Sequence, residues 1–238
     1  MNKKYNLPLE NNDFKEIVVG IHGFAGDKES SVLVSLEKVL SKQGIALLTF
    51  DLANHGQKAT GDLLSLENCN NCVTEAFDYA FSFNVPVSVF ATSFGAYLAL
   101  NYIQKNNPFL KHIILRAPAV YMDQTFENVI LPEHGFNTLD LNKPIDLGYN
   151  SHIFVDKKFL NDLRQNNLSK LDFKKTHIDI IQGKKDNVVD WKQNEKFFKE
   201  KFGESCNFHY FENADHRFKN PGELKKIVEI SKKILLDR

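Results

Sequence analysis

A serine, an aspartate and a histidine each follow a strand-like run of the sequence, and together they could perform acyl transfer. Ser93 lies in the pentapeptide Ala91–Gly95, between an apolar run at 85–90 and a run typical of a helix at 96–103. A serine flanked by small residues on a sharp strand-to-helix turn is typical of a nucleophile elbow. Such a pentapeptide arises by chance in roughly one chain in six of this length, so the interpretation depends on its partners.

A nucleophilic serine requires a base that takes its proton and a carboxylate that orients the base. Asp186 follows the apolar run at 178–181, and His216 follows the run at 207–211. Nucleophile, acid and base would then come from successive strand ends in the order Ser, Asp, His. We therefore predict Ser93, Asp186 and His216 as the catalytic residues.

Each partner has rivals in the sequence. Asp190 stands at the start of a predicted helix, where an N-cap role explains it. Asp215 adjoins His216, which is a poor arrangement for holding the far nitrogen of that ring. The other histidines considered fall in or beside strands or in a long irregular segment: His112, His177, His209, His134 and His152. Asp186 and His216 remain the predicted pair.

Acyl transfer also requires donors for the developing oxyanion. One should be the backbone amide of Phe94, directly after the nucleophile. The second should come from the loop after the first strand, which begins His22-Gly23-Phe24. The amide of Phe24 is the predicted donor, and the His22 side chain is predicted to pack within the loop.

The alternation of strand-like and helical runs predicts an α/β fold with a mostly parallel sheet covered on both faces. We expect one domain over residues 1–238, because no linker or repeat divides the chain. About fifteen residues precede the first strand, so an N-terminal hairpin should be shortened or absent. The interval at about 119–172 is too long for a simple connection and is predicted to be an inserted lid.

Composition excludes several classes of function. Lysine and arginine total 30, as do aspartate and glutamate, so no net charge favours nucleic acid or an anionic membrane. No apolar stretch approaches the ~20 residues of a membrane helix, and the N-terminus lacks the apolar region of a secretory signal. Three cysteines are too few for a disulfide scaffold, which favours the cytoplasm.

Cys69 and Cys72 form a C-x-x-C pattern, which is also found in redox and zinc sites. A redox motif opens a helix directly after a strand, whereas this pair lies inside a predicted helix. Cys206 has no second pair with which to complete a zinc site. We interpret Cys69 and Cys72 as two cysteines one turn apart on a helix.

With these segments the sequence resembles the α/β-hydrolase superfamily from Glu16 to the C-terminus. It is most similar to small bacterial esterases that include the cinnamoyl (feruloyl) esterases. The resemblance rests on His22-Gly23-Phe24, the Asp51–Gly56 turn, the elbow, Gly183–Asp186 and Ala214-Asp215-His216. It implies hydrolysis of carboxylic esters through an acyl-serine intermediate, without cofactor or metal.

The sequence departs from that pattern at Ala91, where glycine is usual, and at Asn54, which replaces a glycine at a turn of positive φ. Asparagine can adopt that conformation. The expected partner is a small-molecule ester, and four aromatic residues of the insertion are candidates for an acyl pocket: Phe126, Phe136, Tyr149 and Phe154. A peptidase, a thioesterase or a non-catalytic binding protein could share the same pattern, and the oligomeric state stays open.

Overall fold

The computed structural model describes residues 14–56, 59–149, 152–168 and 177–237. Its strands are β1 (Glu16–Ile21), β2 (Ile45–Thr49), β3 (Val87–Thr92), β4 (Ile113–Arg116), β5 (Ile145–Asp146), β6 (Phe154–Val155), β7 (Ile178–Gly183) and β8 (Cys206–Phe211). Its helices are α1 (Ser31–Leu40), α2 (Leu66–Phe81), α3 (Phe94–Asn106), α4 (Met122–Thr125), α5 (Leu131–Glu133), α6 (Lys157–Gln165), α7 (Trp191–Phe202) and α8 (Pro221–Leu236).

Six of these strands form one sheet in the order β2-β1-β3-β4-β7-β8, and every neighbouring pair is parallel. All residues of β1 and β2 are buried, because both faces of a parallel sheet are covered. The chain passes from β1 first to β2 and then back to β3 on the other side of β1. Ligands of open α/β sheets bind at such a switch, outside the carboxyl ends of the strands.

The helices cover the two faces of this sheet. The apolar residues of α1 and α8 pack together on one face, in a core that includes Leu33, Leu36 and Ile227. Those of α2, α3 and α7 pack on the other face, in a larger core that includes Phe77 and Phe198. The predicted fold class, an α/β hydrolase-type parallel sheet with helices on both faces, is confirmed.

The segment between β4 and β7 adds short elements rather than another strand of the sheet. A π-helical turn at Phe126–Ile130 joins α4 to α5, and β5 pairs with β6 in an antiparallel ribbon. Helix α6 begins after Asp156, whose carboxylate accepts the amide of Phe159. The helix predicted at 156–165 is therefore present. Residues 169–172 of the predicted lid lie outside the described residues, as does most of the N-terminal segment, where a hairpin is predicted to be shortened or absent.

The predicted elements agree with the structure to within a few residues, with one difference at the elbow. The apolar run predicted a strand ending at Phe90 and a helix beginning at Ala96, whereas β3 continues to Thr92 and α3 begins at Phe94. Ser93 alone forms the turn between them. None of the described helices combines the length and apolarity needed to cross a bilayer.

Candidate active site

Ser93 has a strained backbone that directs its hydroxyl away from the helix it precedes. Its φ is 53° and its ψ is −116°, a conformation that non-glycine residues rarely adopt. Ser93 occupies the N-cap position of α3, yet its hydroxyl makes no cap hydrogen bond. Its amide instead donates to the carbonyl of Arg116 on the neighbouring strand, 2.9 Å away. The turn is thereby fixed and the hydroxyl is left for another partner.

That partner is His216, in the loop after β8. The Oγ atom of Ser93 lies 3.0 Å from Nε2 of His216. The other ring nitrogen, Nδ1, lies 2.8 Å from Oδ2 of Asp186. Because a carboxylate can only accept, Nδ1 carries the proton and Nε2 presents a lone pair to the serine hydroxyl.

Asp186 is held in place by the backbone of its own loop. Its Oδ1 atom accepts the amides of Val188 and Val189 at 2.9 and 2.8 Å. Its side chain has no exposed surface, while the His216 side chain is 14% exposed. A fixed and enclosed carboxylate keeps the imidazole in one tautomer and would stabilise it when it becomes positively charged.

The structure also separates the predicted acid and base from their rivals. Asp190 caps α7, since its carboxylate accepts the amides of Lys192 and Gln193. Asp215 accepts the amide of Arg217 and lies 3.5 Å from Nζ of Lys219. The histidines of the β4, β7 and β8 strands lie at the opposite end of the sheet: His112, His177 and His209 border one cavity there.

The loop after β1 approaches Ser93 closely, as its glycine suggests. A Cβ atom built on Gly23 would lie 3.3 Å from Cβ of Ser93. Nδ1 of the buried His22 donates to the carbonyl of Gly23 at 2.8 Å, and its Nε2 accepts the amide of Leu52 at 3.1 Å. The His22 side chain therefore shapes the loop, as predicted.

The two amides predicted to bind the oxyanion are those of Phe24 and Phe94. The amide of Phe94 is the first of α3, so it has no acceptor within the helix. Neither it nor the amide of Phe24 donates to another group within the part of the chain that the structure describes. The two rings pack edge to face with their centroids 5.7 Å apart, which fixes both residues.

His55 completes the wall behind these two residues. It is fully buried between the rings of Phe24 and Phe94, and its Nδ1 donates to the carbonyl of Ala53 at 2.7 Å. Burial, with a smaller contribution from His22, lowers its pKa from 6.5 to about 4, so the ring is neutral at pH 7. Asn54 before it has a φ of 57°, as predicted for the glycine position.

A cavity of about 740 Å³ opens around Ser93 and His216. Its lining includes a largely apolar group of residues, mainly from the insertion, which we call the apolar part of the cavity: Phe24, Met122, Thr125, Ile130, Tyr149 and Val188. Of the four aromatic residues proposed for an acyl pocket, Tyr149 alone is among the described lining residues. The Phe126 ring is instead buried in the core against Phe159, 5.2 Å between centroids.

Sequence reasoning missed two polar residues beside this site, both at the ends of buried strands. Gln182 is fully buried at the end of β7, and its Nε2 lies 3.2 Å from Oδ2 of Asp186. Arg116 ends β4 and borders the cavity. In the sequence, each of them could have been recognised as a polar residue at or next to the end of a mostly apolar strand.

The cysteines lie away from the site. Cys69 and Cys72 are both on α2, as predicted, and the three cysteines form no disulfide. Within the described ranges, no group of three or more His, Cys, Asp or Glu side chains is arranged to hold a metal ion.

A serine at the switch point of a parallel sheet, with histidine and aspartate on later strand ends, defines the class: the protein is an α/β hydrolase. The family model described as serine aminopeptidase, S33, matches residues 12–144, more than half of the chain. The chain belongs to this family. No curated protein matches it by sequence.

Solved structures share the fold over almost the whole chain. Est1E from Butyrivibrio proteoclasticus, solved with ferulic acid bound, matches with a TM-score of 0.79 at 18% identity, covering 98% of this chain and 92% of that one. A soluble variant of monoglyceride lipase from Saccharomyces cerevisiae matches with a TM-score of 0.76 at 18% identity, covering 98% and 90%. Mouse α/β-hydrolase domain-containing protein 10 gives 0.73 at 15% identity, covering 97% and 92%. At these identities the likeness establishes the fold alone.

Proposed function

We propose that the protein is a serine esterase that hydrolyses small carboxylic esters through an acyl-serine intermediate. The observation that carries this proposal is the continuous chain of hydrogen bonds from Ser93 Oγ through the His216 ring to the enclosed carboxylate of Asp186. Such a chain activates a hydroxyl that is otherwise a weak nucleophile. The neighbouring cavity provides room for an ester.

In the proposed reaction, Ser93 Oγ attacks the ester carbonyl carbon while His216 Nε2 takes the hydroxyl proton. The amides of Phe24 and Phe94 donate to the oxyanion of the tetrahedral intermediate. When the intermediate collapses, the carbon–oxygen bond to the alcohol breaks, and His216 returns the proton to the departing oxygen. Asp186 keeps Nδ1 protonated throughout.

The second half of the cycle repeats these steps with water. His216 takes a proton from a water molecule, which attacks the acyl carbonyl, and the carboxylic acid leaves as Ser93 regains its proton. We assign residues 119–172 as the lid, because Tyr149 and Ile130 of this segment border the cavity. The proposed substrate is a small molecule, and the proposed location is the cytoplasm, where cysteines that form no disulfide stay reduced.

A serine aminopeptidase is the second candidate, because the matching family carries that description. The same acyl transfer would then expel an amine. A free substrate amino group would be bound best by carboxylates, and Glu133 is the one carboxylate that borders the cavity among the described residues. Three cationic side chains, Arg116, Arg217 and Lys219, border the same cavity, and they favour the esterase because they would repel a positively charged amino group.

Labelling with a fluorophosphonate, followed by mapping of the modified peptide, tests the nucleophile. We expect modification at Ser93 in the wild type and none in Ser93→Ala or, at the same exposure, in His216→Ala. Turnover of short p-nitrophenyl esters, methyl ferulate and an aminoacyl anilide then separates the candidates. Absence of labelling would refute the serine mechanism, and faster turnover of the anilide than of every ester would establish the peptidase.

A further inference from the structure

The lining of the cavity at Ser93 also includes residues at the start of α1 and at the start of α8. We call the part of the cavity that these residues line the α1–α8 crevice. Its lining includes Ser30, Ser31, Val32, Asn220, Pro221 and Leu224. Three cationic side chains, Arg116, Arg217 and Lys219, border the same cavity, whereas Glu133 is the one carboxylate among the described lining residues.

Arg116 is the most informative of these cations. Its Nη2 donates to the carbonyl of Arg217 at 2.8 Å, and its guanidinium lies over the Phe218 ring, 4.7 Å from the centroid. Its Nε atom is buried without a hydrogen-bond partner. A guanidinium has five N–H donors, so most of the donors of Arg116 are unused by the described residues.

No carboxylate contacts this half-buried guanidinium directly. Asp186 and Asp215 act on Arg116 from a distance, but neither forms an ion pair with it within the described part of the chain. Burial lowers the pKa of Arg116 to about 10, which still leaves it positively charged at pH 7. Because it is unfavourable to bury a polar group without a hydrogen-bond partner, an anion that accepts from the buried Nε of Arg116 would relieve a cost that the folded protein carries.

The start of α1 adds further donors on the opposite side of the crevice. Ser30 is the N-cap residue of this ten-residue helix, yet its side chain makes no cap hydrogen bond. The first amides of a helix have no intrahelical acceptor, and the helix dipole favours negative charge there. The Ser30 hydroxyl and the amides of Ser31 and Val32 are thus donors beside the cavity that Arg116 borders, while the Ser30 amide donates to the carbonyl of Asp27.

The other two cations lie at the opening of the crevice. Arg217 is exposed, and its charge partly opposes the rise in the pKa of Tyr149 that burial and, to a smaller extent, Glu133 cause. Lys219 is exposed, and its Nζ lies 3.5 Å from the carboxylate of Asp215, which partly neutralises its positive charge. These side chains can steer an anion towards the crevice, while Arg116 is the residue placed to bind it.

We infer that the α1–α8 crevice binds an oxyanion, such as a carboxylate or a phosphate, carried by the substrate that Ser93 hydrolyses. The inference rests on the proposed function, since it names the chemical class of substrate for the same site. The apolar part of the cavity would hold the uncharged half of the ester, and the crevice would hold the charged half.

Two matched pairs of esters test this and show which half carries the charge. The first pair is 4-sulfophenyl acetate and 4-sulfamoylphenyl acetate, with the charge on the leaving group. The second is mono-4-nitrophenyl glutarate and its methyl ester, with the charge on the acyl group. In one of the two pairs, the kcat/KM of the wild type should be at least about tenfold higher for the anionic member than for the neutral one, as expected for a charge-assisted hydrogen bond.

Variants then assign that preference to Arg116. In Arg116→Met the preference should fall to about onefold, and Arg116→Lys should retain part of it, because lysine keeps the charge without the planar fork. Arg217→Gln should reduce it less, and mainly at low ionic strength. Lys196→Gln, on the exposed surface of α7, is the matched control and should leave the preference at its wild-type value.

A binding measurement keeps the inference testable without catalysis. Calorimetry on Ser93→Ala should detect 4-hydroxybenzenesulfonate or glutarate more tightly than the matched neutral amide, and Arg116→Met should remove the difference. Equal binding of charged and neutral members, with equal kcat/KM in both pairs, would overturn the inference. Anion binding without ester turnover or Ser93 labelling would instead refute the proposed function and leave the crevice as an anion site.

Discussion

The side-chain amide of Gln182 donates to Oδ2 of Asp186 at 3.2 Å, and the same oxygen accepts the 2.8 Å bond from His216. Gln182 is itself held by Asn194 of α7, whose Nδ2 donates to Oε1 of Gln182 at 3.0 Å and to the carbonyl of Pro118 at 2.8 Å. Both amides are fully buried. The carboxylate is thereby connected to a helix on the larger core face and to the chain leaving β4.

Replacing Gln182 by methionine should weaken both stability and activity. The substitution keeps the volume but removes one donor to Asp186 and the acceptor for Asn194, so the free energy of unfolding should fall by about 1–3 kcal/mol. A less rigid Asp186 should lower kcat by about tenfold with little change in KM. Denaturation and steady-state kinetics check this, and Gln193→Met on the exposed face of α7 should change neither.

The acid of the site can be assigned by comparing three aspartates. Asp186→Asn should lower kcat about 10⁴-fold, since an amide cannot hold His216 in the tautomer that activates Ser93. Asp190→Ala should cost about 1 kcal/mol of stability through the lost cap of α7, with kcat retained. Asp215→Ala should also retain most activity. A larger loss of kcat in either of these two than in Asp186→Asn would contradict the assignment.

Gly95 should not tolerate a side chain, because a Cβ atom there would lie 2.3 Å from the carbonyl oxygen of His22. The contact is with backbone, so Gly95→Ala must displace α3 from the His22-Gly23-Phe24 loop and should cost about 1–3 kcal/mol. The same shift should lower kcat by moving the Phe24 amide. Thermal unfolding and kinetics measure both effects.

Gly222 provides the matched control for that substitution. It lies in the first turn of α8 with nothing within 4 Å of a built Cβ. Gly222→Ala should stabilise the protein slightly, by about 0.4–1 kcal/mol, since it restricts the unfolded chain. If both alanine variants lost the same stability, close packing at Gly95 would not be the cause.

Stability should depend on the pH through His55. Its pKa is 6.5 in the unfolded chain and about 4 in the folded protein, so the unfolded state binds the proton first as the pH falls. The contribution to stability is complete above pH 6.5 and is lost progressively down to about pH 4, by about 3 kcal/mol in total.

His55→Asn tests this, because asparagine can donate to the Ala53 carbonyl but does not titrate. The variant should be less stable than the wild type at pH 7, since it leaves a cavity beside Phe24 and Phe94. The difference should shrink between pH 6.5 and pH 4 as the wild type loses its advantage. Parallel stability curves for the two proteins over this range would show that His55 does not titrate as stated.

The sequence determined the fold and the order of the site residues. Apolar runs at β1, β3 and β7 are long enough to be buried on both faces, whereas β8 is a less buried strand at the edge of the sheet. A parallel sheet brings the carboxyl ends of its strands together, and Ser93, Asp186 and His216 follow the ends of β3, β7 and β8, so their proximity was predictable from the pattern. Asp190 as a helix cap and Asn54 at positive φ followed from local backbone preferences, which depend on neighbouring residues alone.

The tertiary structure alone decided what surrounds that site. Gln182 lies only four residues before Asp186, so their contact is local. Its other partner, Asn194, comes from α7, and no local sequence pattern specifies how that helix packs against β7. Arg116 lines the cavity because β4 ends beside Ser93 and because the loop after β8 packs against the Arg116 side chain. The Phe126 ring is buried in the core against Phe159 and does not border the cavity, which the packing of the insertion decides. Burial and charge balance at these positions arise from side chains distant in sequence, so they exist only once the chain has folded.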